Sequence, residues 1–430
     1  MIFIKLNNIF KRSLVKETFI YTATDTFGKA VGFLILPVIT YYLPPDEMGM
    51  ATNFSVLMTI VSLIAGQAMV NSLPYFFYEQ NKAQNSQLIS NLFFICFATC
   101  AILGVFSIIF SDVIEEYLKL SIKIQALAVI AVIANLTVNA GLILIRLENK
   151  SISFAKLGII QVFLHLILIV LFVILLNLGG HGKIYSEAGT AILMAIVHMV
   201  FMIKKGYVHL KIDNRTINRL LKFGIPLLPH SLSFWLKGGM DKIFITTFCG
   251  LSVNGIYSMA LTITSLYTIV TNAFFNSYTP YLLKKLATIT ESNEKEVKLK
   301  IVKLSYLLIG CFFLLAVLSI FVGWIILEFI VNEKYKESFY LLPGLILGLY
   351  IYAIYSFSIQ FVYKMKKTFA LGCITFAGSV IQMGLSYLFI KHFGVMGAVF
   401  SSIIGTLIIS ISVFILSYKV YPMPWFNFKR

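Results

Sequence analysis

The chain has 430 residues, 59% of them hydrophobic and 12% charged, against about half and about a quarter in an ordinary soluble domain. It carries 35 Lys and Arg and 18 Asp and Glu, a net charge of +17, and these charges cluster in short segments between long apolar runs, which points to a membrane before nucleic acid. A spanning helix uses about 20 apolar residues, so the apolar material suffices for roughly a dozen spans and excludes an appended soluble enzyme.

In chain order, Met1 to Lys16 is a basic amphipathic stretch without a small-residue cleavage site, so no cleaved signal peptide is expected. Apolar runs follow near 18 to 42, 48 to 71, 88 to 110, 124 to 145, 152 to 177 and 185 to 203. A polar, basic linker from Lys204 to Lys222 comes next. Six further runs lie near 223 to 248, 252 to 277, 301 to 330, 339 to 363, 368 to 390 and 395 to 418. The expected fold is an all-α polytopic membrane protein with twelve transmembrane helices. The linker divides it into an N-terminal six-helix bundle, 1–206, and a C-terminal one, 207–430. The segment Glu291 to Lys300 has mixed charges at helical spacing and reads as a short solvated helix. The five cysteines fall inside or at the ends of apolar runs without a CxxC pair, and read as small buried residues.

Positively charged loops stay cytoplasmic. With the N-terminus inside, the inner segments hold 24 Lys and Arg and the outer loops 6, so both termini are expected in the cytoplasm. A shift of 206 residues pairs Gly32 with Gly238 and Gly49 with Gly255, and a shift of 208 pairs AGTAI at Ala188 with MGAVF at Met396. Six spans per copy restore the same orientation. The bundles are therefore expected to be related by a pseudo-two-fold axis along the membrane normal, with a substrate site between them.

Charges inside the bilayer cost several kcal/mol and mark functional sites or pairs. The first span carries Asp25 and Lys29 one turn apart, beside a GxxxG at Gly28 and Gly32. The seventh carries His230, Lys237 and Asp241, which on a continuous helix fall within roughly 40° of one another. Self-neutralising pairs that merely ease insertion are the bland alternative. Pro37, Pro226 and Pro229 loosen these same two spans. Lys156 and Lys242 are further cations in or beside spans, and either is able to snorkel to a surface. His165 and His198 read as hydrogen-bonded packing residues, and nothing suggests a metal site. No nucleotide-binding loop, HExxH, GxSxG or cysteine cluster is present, so neither a cofactor nor a catalytic role is expected.

Four segments carry a family resemblance: FGIPLLPHSLSFWLKGGMDKIFI (Phe223 to Ile245), GIYSMALTIT (Gly255 to Thr264), RLENKSISFAKLGII (Arg146 to Ile160) and GVMGAVFSSIIGT (Gly394 to Thr406). With these the chain resembles the Wzx-type O-antigen and polysaccharide flippases of the multidrug/oligosaccharidyl-lipid/polysaccharide exporter superfamily over nearly its whole length. The resemblance implies two bundles that open alternately to the cytoplasm and the periplasm of the bacterial inner membrane. The implied cargo is a polyprenyl-pyrophosphate-linked oligosaccharide of O-antigen or capsular type, moved by a monomer among membrane lipids, with a polysaccharide polymerase and a chain-length regulator as partners. On this reading Lys29, Lys237, Lys242 and Lys156 are substrate-binding residues, and Asp25, Asp241 and His230 couple the cycle to an ion. A drug or cation antiporter of the same superfamily and a membrane-embedded polysaccharide polymerase remain as alternatives.

Overall fold

The computed structural model of the chain describes residues 17, 20–24, 26–28, 30–33, 35–209 and 212–425. Asp25 and Lys29 lie outside the described residues. Among the described residues there is no strand, and eleven helices are long and apolar enough to cross a membrane. Six of them come first: α1 (Ile20–Tyr42), α2 (Pro45–Phe77), α3 (Lys82–Ile109), α4 (Ile122–Leu147), α5 (Ser151–Leu175) and α6 (Gly179–Lys204). Three shorter helices follow, α7 (Asn214–Gly224), α8 (Leu228–Gly238) and α9 (Met240–Cys249). The remaining long ones are α10 (Leu251–Ala287), α11 (Glu294–Phe329), α12 (Glu333–Lys364), α13 (Thr368–Phe393) and α14 (Val395–Val420). The chain is a multi-pass membrane protein. Large apolar side chains such as Ile109, Phe163, Phe313 and Leu314 are exposed on these helices, a surface that hydrocarbon solvates and water would not.

The seventh expected span is present as α8 and α9 rather than as one helix. Pro226 lies in a 3-10 turn over Ile225–Leu227 and Pro229 in the first turn of α8, and a one-residue turn at Gly239, whose φ of −93° and ψ of −44° stay helical, separates α8 from α9.

The chain forms two compact units, Met1–Ser231 and Leu232–Arg430. The division falls later than the linker because the residues after α6 pack back on the first unit. The His209 N–H donates to Ser90 Oγ at 2.7 Å and the Asp213 N–H to Asn91 Oδ1 at 2.8 Å. On α7, Arg219 reaches Glu79 at 3.3 Å and lies over the Phe76 ring at 4.2 Å.

In the N-terminal unit α4 is central and packs on α2, α3 and α6. Its inward face carries Ala128, Ala131, Ala134, Ala140 and Gly141, small residues that let helices approach closely. His198 of α6 fills the space over Gly141, where a Cβ would lie 2.4 Å from Nδ1. Neither ring nitrogen of His198 has a hydrogen-bond partner among the described residues. It packs as expected, but without the expected hydrogen bond. Helix α2 kinks at Gly66, whose φ of +129° suits glycine, and Cys96 Sγ would lie 2.9 Å from a Cβ there. Cys96 and Cys100 are buried, whereas Cys311 and Cys373 are exposed, since a thiol is apolar enough for the lipid-facing surface.

At the end of this unit where α4 meets α5, Arg146 lies over the rings of Phe154 and Tyr21, at 4.7 and 5.2 Å. Glu148 contacts the Lys150 ammonium and accepts from Tyr207 Oη at 2.8 Å. Burial pushes the Glu148 carboxyl up. The hydrogen bonds from Lys150 and Tyr207, with the charges of Lys150 and Lys205, outweigh it and hold the group below its ordinary range.

In the C-terminal unit α14 packs along both α12 and α13. Helices α10 and α11 form a long hairpin. Its tip holds an apolar cluster in which Tyr278, Leu282 and Leu286 meet Ile301, Val302, Met423 and Trp425. The segment after α14 is tied there by Tyr306 Oη to the Trp425 carbonyl at 2.7 Å and by Lys298 Nζ to the Pro422 carbonyl at 3.1 Å. The charged segment expected as a separate helix is instead the first turns of α11, braced by Lys298–Glu294 at 2.6 Å and Lys300–Glu296 at 2.5 Å.

Candidate functional site

The turn at Gly239 lies between Lys237, in the last turn of α8, and Asp241, in the first turn of α9.

Both side chains line one cavity of about 380 Å³ within the C-terminal unit. Much of the remaining wall is apolar, with Phe234, Leu261, Leu345 and Leu349, and its polar groups come from Tyr257, Thr264, Ser265 and Thr268 of α10, Tyr352 of α12, Gln382 of α13, and Ser402 and Thr406 of α14. Tyr352 stacks on Tyr355 with ring centroids 5.3 Å apart. Gly238 has nothing within 4 Å of where its Cβ would stand, which keeps the mouth beside Lys237 open. Hydroxyls, an amide and aromatic faces around one ammonium are the groups that bind sugars and anions.

Two oxygens in this wall are unsatisfied. Asp241 is 2% exposed, and its Oδ1 has no hydrogen-bond partner among the described residues; the same holds for Oε1 of Gln382, also 2% exposed. No ion pair within 4 Å joins Lys237 to Asp241 among the described residues. A buried acceptor left unpaired costs about 1–3 kcal/mol, so the cavity offers a place for a donor from outside the protein.

The other expected site residues are distributed differently. Lys242 is half-buried on α9 and does not line the cavity. Its register, about 100° from Asp241 on a helix, turns it away. Lys156 is exposed on α5, whose surface is largely unburied. His230 is exposed and falls in the N-terminal unit. His230 shares α8 with Lys237, but it is exposed and does not line the cavity, whereas Lys237 and Asp241 do.

A second charged group in the N-terminal unit escaped the sequence reading. Ser55 of α2 approaches the two carboxylate oxygens of Glu187 on α6 at 3.3 and 3.5 Å. Lys183 lies one turn earlier, and His165 Nδ1 on α5 meets Thr190 Oγ1 at 3.2 Å. The signal was an acid and a base four residues apart, as in Asp25 with Lys29, but Lys183 sits at a span edge and reads as a loop charge.

Comparison with known proteins gives a consistent picture. The profile of a family described as polysaccharide biosynthesis protein matches residues 38–339. The chain is 22% identical over 291 residues to the lipid III flippase of Escherichia coli (strain K12), covering 66% of this chain and 69% of that one. It spans about two thirds of the length of the curated relatives it matches. Among solved structures, the lipid II flippase MurJ in an inward closed conformation superposes with a TM-score of 0.73 at 15% identity, over 93% of this chain and 87% of that one. An inward-facing multidrug resistance MATE family transporter superposes with a TM-score of 0.66 at 15% identity, over 91% and 94%. At such identities the structures bear on the fold alone.

Proposed function

The chain belongs to the polysaccharide biosynthesis protein family, and from that membership we propose that it is a flippase for a polyprenyl-pyrophosphate-linked oligosaccharide. The cargo is an O-antigen or capsular repeat unit, assembled on the cytoplasmic leaflet of the bacterial inner membrane and delivered to the periplasmic one. The observation that carries this reading is one cavity that holds both Lys237 and the buried Asp241, with hydroxyls, an amide and tyrosines set in an otherwise apolar wall. A pyrophosphate crossing about 30 Å of hydrocarbon needs a cationic, wet path. Lys237 supplies one cation, and Lys29 on the first span supplies another. The lipid tail stays in the bilayer.

Asp241 is assigned the coupling role. It is the carboxylate in the cavity, and its unpaired Oδ1 takes a proton when the cargo is absent. Proton antiport then resets the carrier without nucleotide hydrolysis. The 24-to-6 bias of positive charge supports two cytoplasmic termini.

Deleting the gene tests the reading. Surface polysaccharide should vanish while the lipid-linked unit accumulates facing the cytoplasm. Loss of a polymerase would leave single units on the surface, and loss of a drug exporter would leave the polysaccharide intact; either result overturns the proposal.

A further inference from the structure

We propose that a row of uncharged polar side chains on α2, formed by Ser55, Thr59, Ser62, Gln67 and Asn71, lines a watery path along the N-terminal unit and binds the sugars of the cargo as they cross. That the ligand is a glycan rests on the flippase reading; that the row meets water does not.

The row is continuous because α2 changes pitch. Ser55, Thr59 and Ser62 follow one another by four and three residues and share a helix face. Gln67 follows Ser62 by five, which on a regular helix turns it about 140° away. Between them Leu63–Gln67 forms a wide turn of π type in which Gly66 takes a φ of +129°, and such a turn closes over one residue more than an α turn. The extra residue brings Gln67 back beneath Ser62. Ser62 Oγ donates to Gln67 Oε1 at 3.2 Å, and Gln67 Nε2 donates to Asn71 Oδ1 at 3.3 Å. From Ser55 to Asn71 the row runs about 24 Å at 1.5 Å per residue, most of the hydrocarbon thickness of about 30 Å.

Thr59 and Asn71 are exposed and Ser55, Ser62 and Gln67 half-buried, whereas Ala65, Ala68 and Val70 are buried. Surface that meets lipid looks different: on α5, Phe163 and Ile167 are 51% and 61% exposed. Hydroxyls and amides turned to hydrocarbon would lose the hydrogen bonds that water gives them, so the open face of α2 belongs to water. Ile64, 44% exposed, borders the row and suits the C–H face of a sugar. Thr59 Oγ1 spends its proton on the Ser55 carbonyl at 2.8 Å and keeps its oxygen as an acceptor, while the two amides offer donors and acceptors together. The charge that touches the row is the Glu187 carboxylate, 3.3 Å from Ser55 Oγ, which accepts from hydroxyls and repels phosphate. A saccharide fits this chemistry and a diphosphate does not.

Single cysteines in the full-length protein, treated in membrane vesicles with a charged, water-soluble maleimide and read above wild-type labelling, test the path. Thr59→Cys, Ser62→Cys, Gln67→Cys and Asn71→Cys should react, and Ala65→Cys, Val70→Cys and the lipid-facing Phe163→Cys should not. A helix of regular pitch would place position 70, not 67 and 71, on the face of 59 and 62. Reaction at Val70→Cys with none at Gln67→Cys and Asn71→Cys therefore overturns the register, and a row as inert as Phe163→Cys overturns the path. For the sugar contact, Gln67→Leu with Asn71→Leu should cut delivery of surface polysaccharide about tenfold, the loss of a few neutral hydrogen bonds, at unchanged membrane levels. Gln67→Asn with Asn71→Gln keeps both amides and should retain most of the delivery. Full delivery in the leucine variant, or an equal loss in the amide exchange, overturns the contact. The gene deletion judges the flippase reading separately, since the labelling pattern holds whatever the cargo is.

Discussion

Gln382 of α13 occupies the space that a side chain on Gly405 of α14 would need: a Cβ there would lie 2.6 Å from both Cγ and Oε1 of the amide. The amide oxygen is thereby held in the cavity wall without a partner among the described residues. Gly405→Ala should displace Gln382, with an overpacking cost of about 1–3 kcal/mol visible as a lower melting temperature, and with reduced flipping. Adding Gln382→Ala should return the stability and not the transport. A Gly405→Ala protein with unchanged melting and full transport would show that the amide has no fixed place.

Lys237→Gln keeps length and polarity but removes the cation, a loss of about 1.5–3 kcal/mol in a charge-assisted contact and so roughly ten- to a hundredfold in transport. Membrane levels on immunoblots should hold. If the lysine served only to offset Asp241, Lys237→Gln with Asp241→Asn would recover transport. The expected result is a well-expressed, inactive double variant.

The Glu148 contacts predict a pH-dependent contribution to stability. Its folded pKa lies below the unfolded value of about 4.3, so the contribution is complete above that value and is lost as pH falls through the folded pKa. Wild type should melt above Glu148→Gln at pH 7, by about 1 kcal/mol after solvent screening. The gap should close below about pH 4. A gap that persists in acid would mean that the carboxylate's charge is not what anchors the loop.

Reporter fusions check the orientation. A reporter that needs the cytoplasm should work after Lys211 and fail after Ser252, and a periplasmic reporter should do the opposite. The reverse pattern would invert the side assigned to both termini.

Much of this architecture was legible in the sequence because lipid imposes a simple rule of apolar length between charged loops. The placing of Lys237 and Asp241 one turn apart was equally visible, and both line one cavity. The turn at Gly239 was not, since two glycines in an apolar run serve equally for close packing, and spacing alone does not reveal that His230, on the same helix as Lys237, stays outside the cavity. Tyr352, Gln382 and Thr406 were invisible as site residues because each is an ordinary polar residue in its own helix. They become a wall only when α12, α13 and α14 pack around a common axis. Glu187 was missed for a related reason: its partner Ser55 lies 132 positions away, beyond any local pattern.

Helices α10 and α11 outrun the membrane they cross. The 37 residues of α10 extend about 55 Å at 1.5 Å each, against about 30 Å of hydrocarbon, so a hairpin of some 20 Å stands in water. Its tip has an apolar foundation of its own in the cluster that Met423 and Trp425 complete, and its turn is laced by Asn293 to the Thr288 carbonyl and the Thr290 N–H. For imaging, this is a built-in mast. A small rigid protein grafted into the turn at 289–292 would be carried as one body with the two helices, giving particles of a 48.4 kDa chain a landmark outside the detergent belt.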